Sequence, residues 1–474
     1  MNGPIRKLSV VAMVMFAALL INLSVTAVFR TDSLMANSQN RRARDAEFAQ
    51  DRGAILVGNT AIAITNPSKD SFKYQRSYPQ GPLYAPVTGY YSYLYASSGL
   101  EASYNRQLAG TSDSMFLQHL IDLATGRKAA GATIETTLNA KAQRAAFDAL
   151  GDNTGAVVAM NYSTGEILAM ASTPTYNPNQ LATHDIKASQ AAWKELNAAT
   201  GKPMSNRAAR EIFPPGSTFK LVTAAAALEN GWQPGATIDS PASMVLPGTS
   251  SQLPNTHDCG GDKITLDQAL QVSCNTAFAN LGKWLGADKL REQARRFGFN
   301  STPLPELNAV ASRFPSQLDV PQTMMSAIGQ YEVSATPLQM AMVGAAIANN
   351  GVLMRPHLVK TIRGADLQVI QTIGSEQLST PMSPQNAGVL KGWMYNVVEK
   401  GTGTTAQVDG VHVGGKSGTA QSDKKRPPYA WFVAFADDPQ VVVCAFVQQA
   451  ADTSEVGGST VAGPIAAAVI ESLT

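Results

Sequence analysis

The sequence predicts an α/β chain of the segregated, α+β kind. One antiparallel sheet draws its strands from both ends of a large domain, and a mainly helical subdomain packs beside it. A membrane segment and a small mixed module come first. Three observations predict this. Leu8 to Phe29 is a run of 22 residues without a charge. Short strand-like runs occur at Gly155–Ser172 and again at Val411–Gln448. Between them lie long helical patterns, Ser217–Asn230 and Pro337–Asn349. Strands at both termini with helices between them close into one sheet with a helical layer.

Composition sets the bounds. At 474 residues the chain is long for one domain; with 44% hydrophobic and only 15% charged residues it can bury a sizeable core. The 37 basic and 35 acidic residues leave a net charge of +2, which gives no reason to expect nucleic acid as a partner. Five histidines and three cysteines show no metal-ligand spacing, so neither a metal nor another cofactor is expected.

The elements follow in order. Residues 1–7 form a short tail and 8–29 an anchor. As a helix the anchor reaches about 33 Å, enough for a hydrocarbon core of about 30 Å. It exceeds a secretory apolar region and no A-x-A site follows, so it is expected to stay uncleaved. Arg6 and Lys7 favour a cytoplasmic tail, which puts the remaining chain outside the cytoplasm; Arg30, Arg41, Arg42 and Arg44 pull against that orientation. The stretch "NSQNRRARDAEFAQ" reads as a helix near the membrane. Residues 31–150 form an irregular α+β module with segments such as "PLYAPVTGYYSYLY", and an amphipathic helix over Thr136–Leu150 leads out of it.

The large domain spans 151–474. Asn161 to Gly165 turns a hairpin between its first two strands. Val411–Gln421, Trp431–Asp437 and Val441–Gln448 read as consecutive antiparallel strands, with Asp438-Pro439 turning the chain between the last two. Gly463–Leu473 closes the fold as a helix. Cys259 and Cys274 lie 15 residues apart; in an exported protein they form either a disulfide or two buried thiols. Cys444, inside "VVVCAFV", reads as packing.

Chemistry enters at "PPGSTFK". Ser217 and Lys220 stand three residues apart at the start of an apolar helix, so their side chains share a face. A serine there also reads as an N-cap and a lysine as a snorkelling charge. Ser422 and Lys425 repeat the spacing in a loop. A serine hydroxyl needs a base within reach, and a lysine serves as that base only if burial or a second cation destabilises its ammonium. Further polar groups are therefore required. "VSCNTAF" supplies Ser273 and Asn275 between helical runs at Thr265–Gln271 and Thr276–Leu285. "GGKSGTA" supplies Lys416, Ser417, Gly418 and Thr419 on a strand placed at the edge of the sheet. S-x-x-K, S-x-N and K-[ST]-G in this order is the combination found in penicillin-binding proteins and related β-lactamases.

With "RGAI", "GLEASYNRQLAG" and "AIGQYEVSATPLQMA" added, the chain resembles class B penicillin-binding proteins, the peptidoglycan D,D-transpeptidases, of the actinobacterial penicillin-binding protein A type. The likeness covers nearly the whole chain. It implies a five-stranded antiparallel sheet flanked by helices, an all-helical subdomain, and a dimerisation or pedestal module in front, without a glycosyltransferase. It also implies roles. Ser217 attacks the penultimate D-Ala carbonyl of a stem peptide and Lys220 is the base. Ser273 relays the proton, Lys416 helps to keep Lys220 neutral, and Asn275 binds the substrate backbone and orients Lys220. Lys416, Ser417 and Thr419 gather the terminal carboxylate beside Gly418. Backbone N–H groups of Ser217 and Thr419 form the oxyanion hole. The implied partners are peptidoglycan stem peptides, β-lactams as covalent inhibitors, the membrane, and a polytopic glycan polymerase.

Other readings stay open. A D,D-carboxypeptidase would pass the acyl group to water. A β-lactamase would need an activated deacylating water, for which Glu306 and Glu332 are candidates. A β-lactam sensor would need further spans or a cytoplasmic effector, and only Met1–Lys7 precedes the span.

Overall fold

The computed structural model describes residues 2–30, 34, 41–112, 130–421, 426–452 and 456–474. Helix α1 (Asn2–Phe29) contains the uncharged run and is the one helix among the described residues long and apolar enough to cross a membrane. The juxtamembrane helix is seen from Arg41 to Phe48. Residues 35–40 immediately before it, and the Ser422–Lys425 pair, lie outside the described residues.

The module that follows is built on a six-stranded sheet. Four strands are local: β1 (Ile55–Val57), β2 (Thr60–Pro67), β3 (Tyr74–Ser77) and β4 (Thr133–Thr136). Two more come from far downstream, Val359–Arg363 pairing with β4 and Val369–Thr372 beyond it. The large domain therefore contributes strands to the module's own sheet, a long-range pairing without a local sequence signal. A buried carboxylate pins the sheet. Glu101 accepts from Arg52 Nε at 2.7 Å, Arg76 Nε at 2.6 Å and the Tyr78 hydroxyl at 3.1 Å. Two guanidiniums offset the cost of burying that charge and hold its pKa down. The helix expected from Thr136 starts at Ala140 instead. The sheet takes Thr133–Thr136, and the Asn139 side chain caps the helix by accepting from the N–H groups of Lys141 and Ala142.

The large domain holds a five-stranded antiparallel sheet. Its strands are β5 (Thr154–Met160), β6 (Ile167–Thr173), β7 (Val413–Ala420), β8 (Tyr429–Ala436) and β9 (Val441–Gln449), in the order β7-β8-β9-β5-β6. Strands from both ends of the domain meet where β9 pairs with β5, Cys444 opposite Val158. Side chains alternate between two covered faces. Val158, Met160, Val442 and Cys444 join the larger core, while Val157, Ala159, Val443 and Ala445 join a second cluster with the Ala140–Leu150 helix. Coverage on both sides explains why these strands read as unbroken apolar runs.

The helical layer comprises α2 (Lys220–Glu229), α3 (Asn275–Leu285), α4 (Pro337–Ala348) and α5 (Pro384–Lys400); α6 (Gly463–Glu471) packs on the opposite face of the sheet. All 12 residues of α4 are buried, and it packs against β9. Strand β7 is an edge strand, so it can form one wall of a cleft against the N-terminal end of α2 and the turn before α3.

Candidate active site

The segment expected to start one long helix at Ser217 first makes a tighter turn. Gly216–Phe219 is 3₁₀ and continues into α2 at Lys220. Three residues per turn stack Ser217 and Lys220 more directly than an α-helix would. Two glycines seat this turn on β7. Gly216 has φ +53°, and a Cβ on it would lie 3.0 Å from the Thr419 carbonyl oxygen. From the other side, a Cβ on Gly418 would lie 3.1 Å from both Thr218 N and Pro215 O. Ser217 ends half-buried at the cleft wall, while Lys220 runs inward and is fully buried.

Three distant segments meet on one hydroxyl. Lys220 Nζ donates to the Ser273 carbonyl at 2.7 Å, to Asn275 Oδ1 at 2.8 Å and to Ser273 Oγ at 3.2 Å. Lys416 Nζ, also fully buried, donates to the same Ser273 Oγ at 3.0 Å and to the Ser417 carbonyl at 2.8 Å. Burial, reinforced by the neighbouring Lys416 cation, holds Lys220 well below the ordinary lysine range. Burial brings Lys416 down to about 7. An amine so destabilised as a cation can take up a proton near neutral pH. Ser217 Oγ has no hydrogen-bond partner among the described residues. Lys220 Nζ is instead held against the Ser273 carbonyl, Ser273 Oγ and Asn275 Oδ1 of the Ser273–Asn275 turn.

That turn is held under constraint. Ser273 has φ +60°, a left-handed conformation that costs a residue with a side chain. Cys274 next to it is joined to Cys259 by a disulfide. Asn255, which sequence reasoning missed, caps α3 from outside the helix. Its Oδ1 accepts from Asn275 N at 2.8 Å and Thr276 N at 3.0 Å. Its Nδ2 donates to the Pro241 carbonyl at 2.9 Å. Asn275 in turn donates from Nδ2 to the Pro254 carbonyl at 3.1 Å. Its carboxamide is thereby oriented with the oxygen toward Lys220.

Ser217, Ser273, Asn275, Ser417 and Thr419 line a single cavity of about 590 Å³. Ser417 is buried with its hydroxyl 2.8 Å from Thr402 Oγ1; Thr419 is exposed and accepts from Gly458 N at 3.2 Å. Thr402 was also missed by sequence reasoning, since nothing local in "KGTGTTA" links it to Ser417. Neither glutamate considered for deacylation is in the cavity wall. Glu306 accepts from Leu358 N at 3.1 Å and the Tyr104 hydroxyl at 3.3 Å, with burial raising its pKa. Glu332 pairs with Arg313 at 2.7 Å.

Known proteins resemble this chain in sequence and fold. Residues 155–471 match the penicillin binding protein transpeptidase domain, and residues 52–134 match the penicillin binding protein A dimerisation domain. The chain is 40% identical over 485 aligned residues to the peptidoglycan D,D-transpeptidase PbpA of Mycolicibacterium smegmatis, covering 99% of this chain and 98% of that one. It is 39% identical to PbpA of Mycobacterium tuberculosis, covering 99% of each. The ceftriaxone acyl-enzyme complex of penicillin-binding protein A from M. tuberculosis superposes with a TM-score of 0.87 at 38% identity, covering 90% of this chain and 99% of that one. Fold and both matched regions agree: the chain belongs to the penicillin-binding protein transpeptidase family, with a dimerisation module of the penicillin-binding protein A type ahead of the transpeptidase domain.

Proposed function

We propose that this chain is a class B D,D-transpeptidase that cross-links peptidoglycan stem peptides through an acyl-serine. The observation that carries the reading is the convergence of two buried lysines on Ser273 Oγ in a cavity that Ser217 also lines. Ser217 Oγ attacks the carbonyl of the penultimate D-Ala and its proton passes to Lys220. Collapse of the tetrahedral intermediate breaks the peptide bond. Ser273 relays the proton to the departing nitrogen, so D-Ala leaves with a neutral amine and its carboxylate intact. The amine of a second stem peptide then attacks the ester, forming the cross-link and restoring the serine. Lys416 keeps Lys220 neutral, and with Ser417 and Thr419 it holds the substrate carboxylate beside Gly418. Asn275 holds the substrate backbone. Backbone N–H groups of Ser217 and Thr419 serve as the oxyanion hole, where one donor contributes about 10²–10³ in rate. β-Lactams acylate the same serine.

Residues 8–29 anchor the chain, with the tail 1–7 in the cytoplasm and the module and catalytic domain outside it. Protease treatment of intact cells should therefore reach residues beyond 31; protection of all of them reverses the topology. The module, within 31–150, is a docking surface for a polytopic glycan polymerase, and the catalytic domain occupies 151–474. Deletion of residues 52–130 should abolish co-purification with such a polymerase, and unchanged recovery would remove the assignment.

The reaction itself is tested with a stem-peptide donor and an amine-bearing acceptor. Cross-linked dimers are expected. Trimmed monomers alone would make water the acceptor and the enzyme a D,D-carboxypeptidase; rapid nitrocefin turnover would make it a β-lactamase.

A further inference from the structure

The turn that follows α5 brings a further hydroxyl, that of Thr402, to the cleft. Thr402 Oγ1 lies 2.8 Å from Ser417 Oγ, and both residues line the cavity. No other hydrogen bond is made by either hydroxyl among the described residues. The backbone of Thr402 is fixed without its side chain. Its N–H donates to the Gln271 carbonyl at 3.0 Å, and its carbonyl accepts from Ser459 Oγ. On either side, the N–H groups of Gly401 and Gly403 donate to the Val397 carbonyl at 3.1 and 2.9 Å. The Thr402 hydroxyl is therefore not what shapes the turn.

We propose that Thr402 is a positioning residue for the carboxylate end of the cleft, one that forces the Ser417 proton toward the substrate. The proposal rests on the transpeptidase reading above. Two facing hydroxyls can share their hydrogen bond in either direction. A carboxylate is acceptor-only, so when one is bound Ser417 must donate to it. Ser417 Oγ can then only accept from its neighbour, and Thr402 is the donor within reach. The chain Thr402 to Ser417 to carboxylate points one way, and each bond polarises the next. Lys416 adds a second constraint by donating to the Ser417 carbonyl at 2.8 Å, which fixes the backbone from which that hydroxyl hangs.

The test compares second-order acylation rates for wild type, Thr402→Val, Thr402→Ser, Ser417→Ala and the double variant Thr402→Val/Ser417→Ala. Benzylpenicillin and its methyl ester are the probes. With benzylpenicillin, Thr402→Val should be about tenfold slower and Thr402→Ser should recover most of the loss. The double variant should be no slower than Ser417→Ala. With the methyl ester, which lacks the carboxylate, Thr402→Val should match wild type within about twofold. A Thr402→Val rate equal to wild type with benzylpenicillin overturns the proposal. So does an equal loss with both probes, or a loss that multiplies onto Ser417→Ala. Should Thr402→Val fail to fold, Thr402→Ala carries the same comparisons. Failure of wild type itself to acylate would overturn the transpeptidase reading instead.

Discussion

Seating the Ser217 turn on β7 depends on a strand residue with no side chain, and Gly418→Ala tests how closely that seat is set. The backbone of Gly418 is not left-handed, so alanine brings no φ penalty and slightly favours the strand. What it brings is a Cβ at 2.8 Å from Thr218 Cγ2 and 3.1 Å from Thr218 N and Pro215 O. Ordinary contact begins near 3.4 Å. The turn carrying Ser217 must therefore retreat by about 0.3–0.6 Å. A misplacement of about 1 Å at a reacting group costs about 10²-fold, so a retreat of this size should cost about tenfold. Stopped-flow acylation by a fluorescent penicillin gives the rate, and thermal unfolding gives the stability. The expected result is a rate about tenfold lower with Tm nearly unchanged. A rate within twofold of wild type would show that the turn does not need its present position.

Other expectations follow from the same contacts. Lys416 titrates at about 7 in the folded protein against 10.5 for an ordinary lysine. Between those values the unfolded chain binds more protons, so the stability of wild type relative to Lys416→Met should rise with pH, by about 2 kcal/mol from pH 7 to pH 9; a flat difference in urea unfolding refutes the buried-lysine account. Asn255→Ala leaves the N–H groups of Asn275 and Thr276 without their acceptor. It should cost about 1–2 kcal/mol and slow acylation, with Asn255→Asp recovering most of both; unchanged stability would contradict the cap. The Cys259–Cys274 bridge closes a 15-residue separation, worth about 3 kcal/mol by chain entropy. Cys259→Ser/Cys274→Ser should lower the urea midpoint accordingly, and non-reducing peptide mapping of wild type should recover the linked pair.

Much of this architecture was legible because the relevant forces are local. Ala156–Met160 and Val441–Val447 are buried on both faces, and their unbroken apolar runs announce it. The apolar run Leu221, Val222 and Ala224–Leu228 after Lys220 marked a helix built for burial, but it left the lysine open between a buried base and a snorkelling charge until its contacts were seen. The edge position of β7 followed from its place as the first of three consecutive strands. The details that failed were long-range. Val359–Arg363 pairs with β4 across more than two hundred residues, and no turn or charge pattern at either end marks the partner. Asn255 looks like any loop asparagine until α3 is seen to start beside it. The 3₁₀ turn at Gly216–Phe219 depends on the close approach of β7 rather than on helix propensity. The glutamates weighed for deacylation look plausible in sequence only because their partners, Leu358 and Tyr104 for Glu306 and Arg313 for Glu332, are supplied by tertiary contact.

The central claim is that Ser217 is the acylated nucleophile. Intact-protein mass spectrometry after benzylpenicillin measures it directly, on wild type and on Ser217→Ala. One penicilloyl group should appear on wild type, on the peptide containing Ser217, and none on the variant. Persistent acylation of Ser217→Ala, or an adduct mapped to another residue of the wild type, would contradict it.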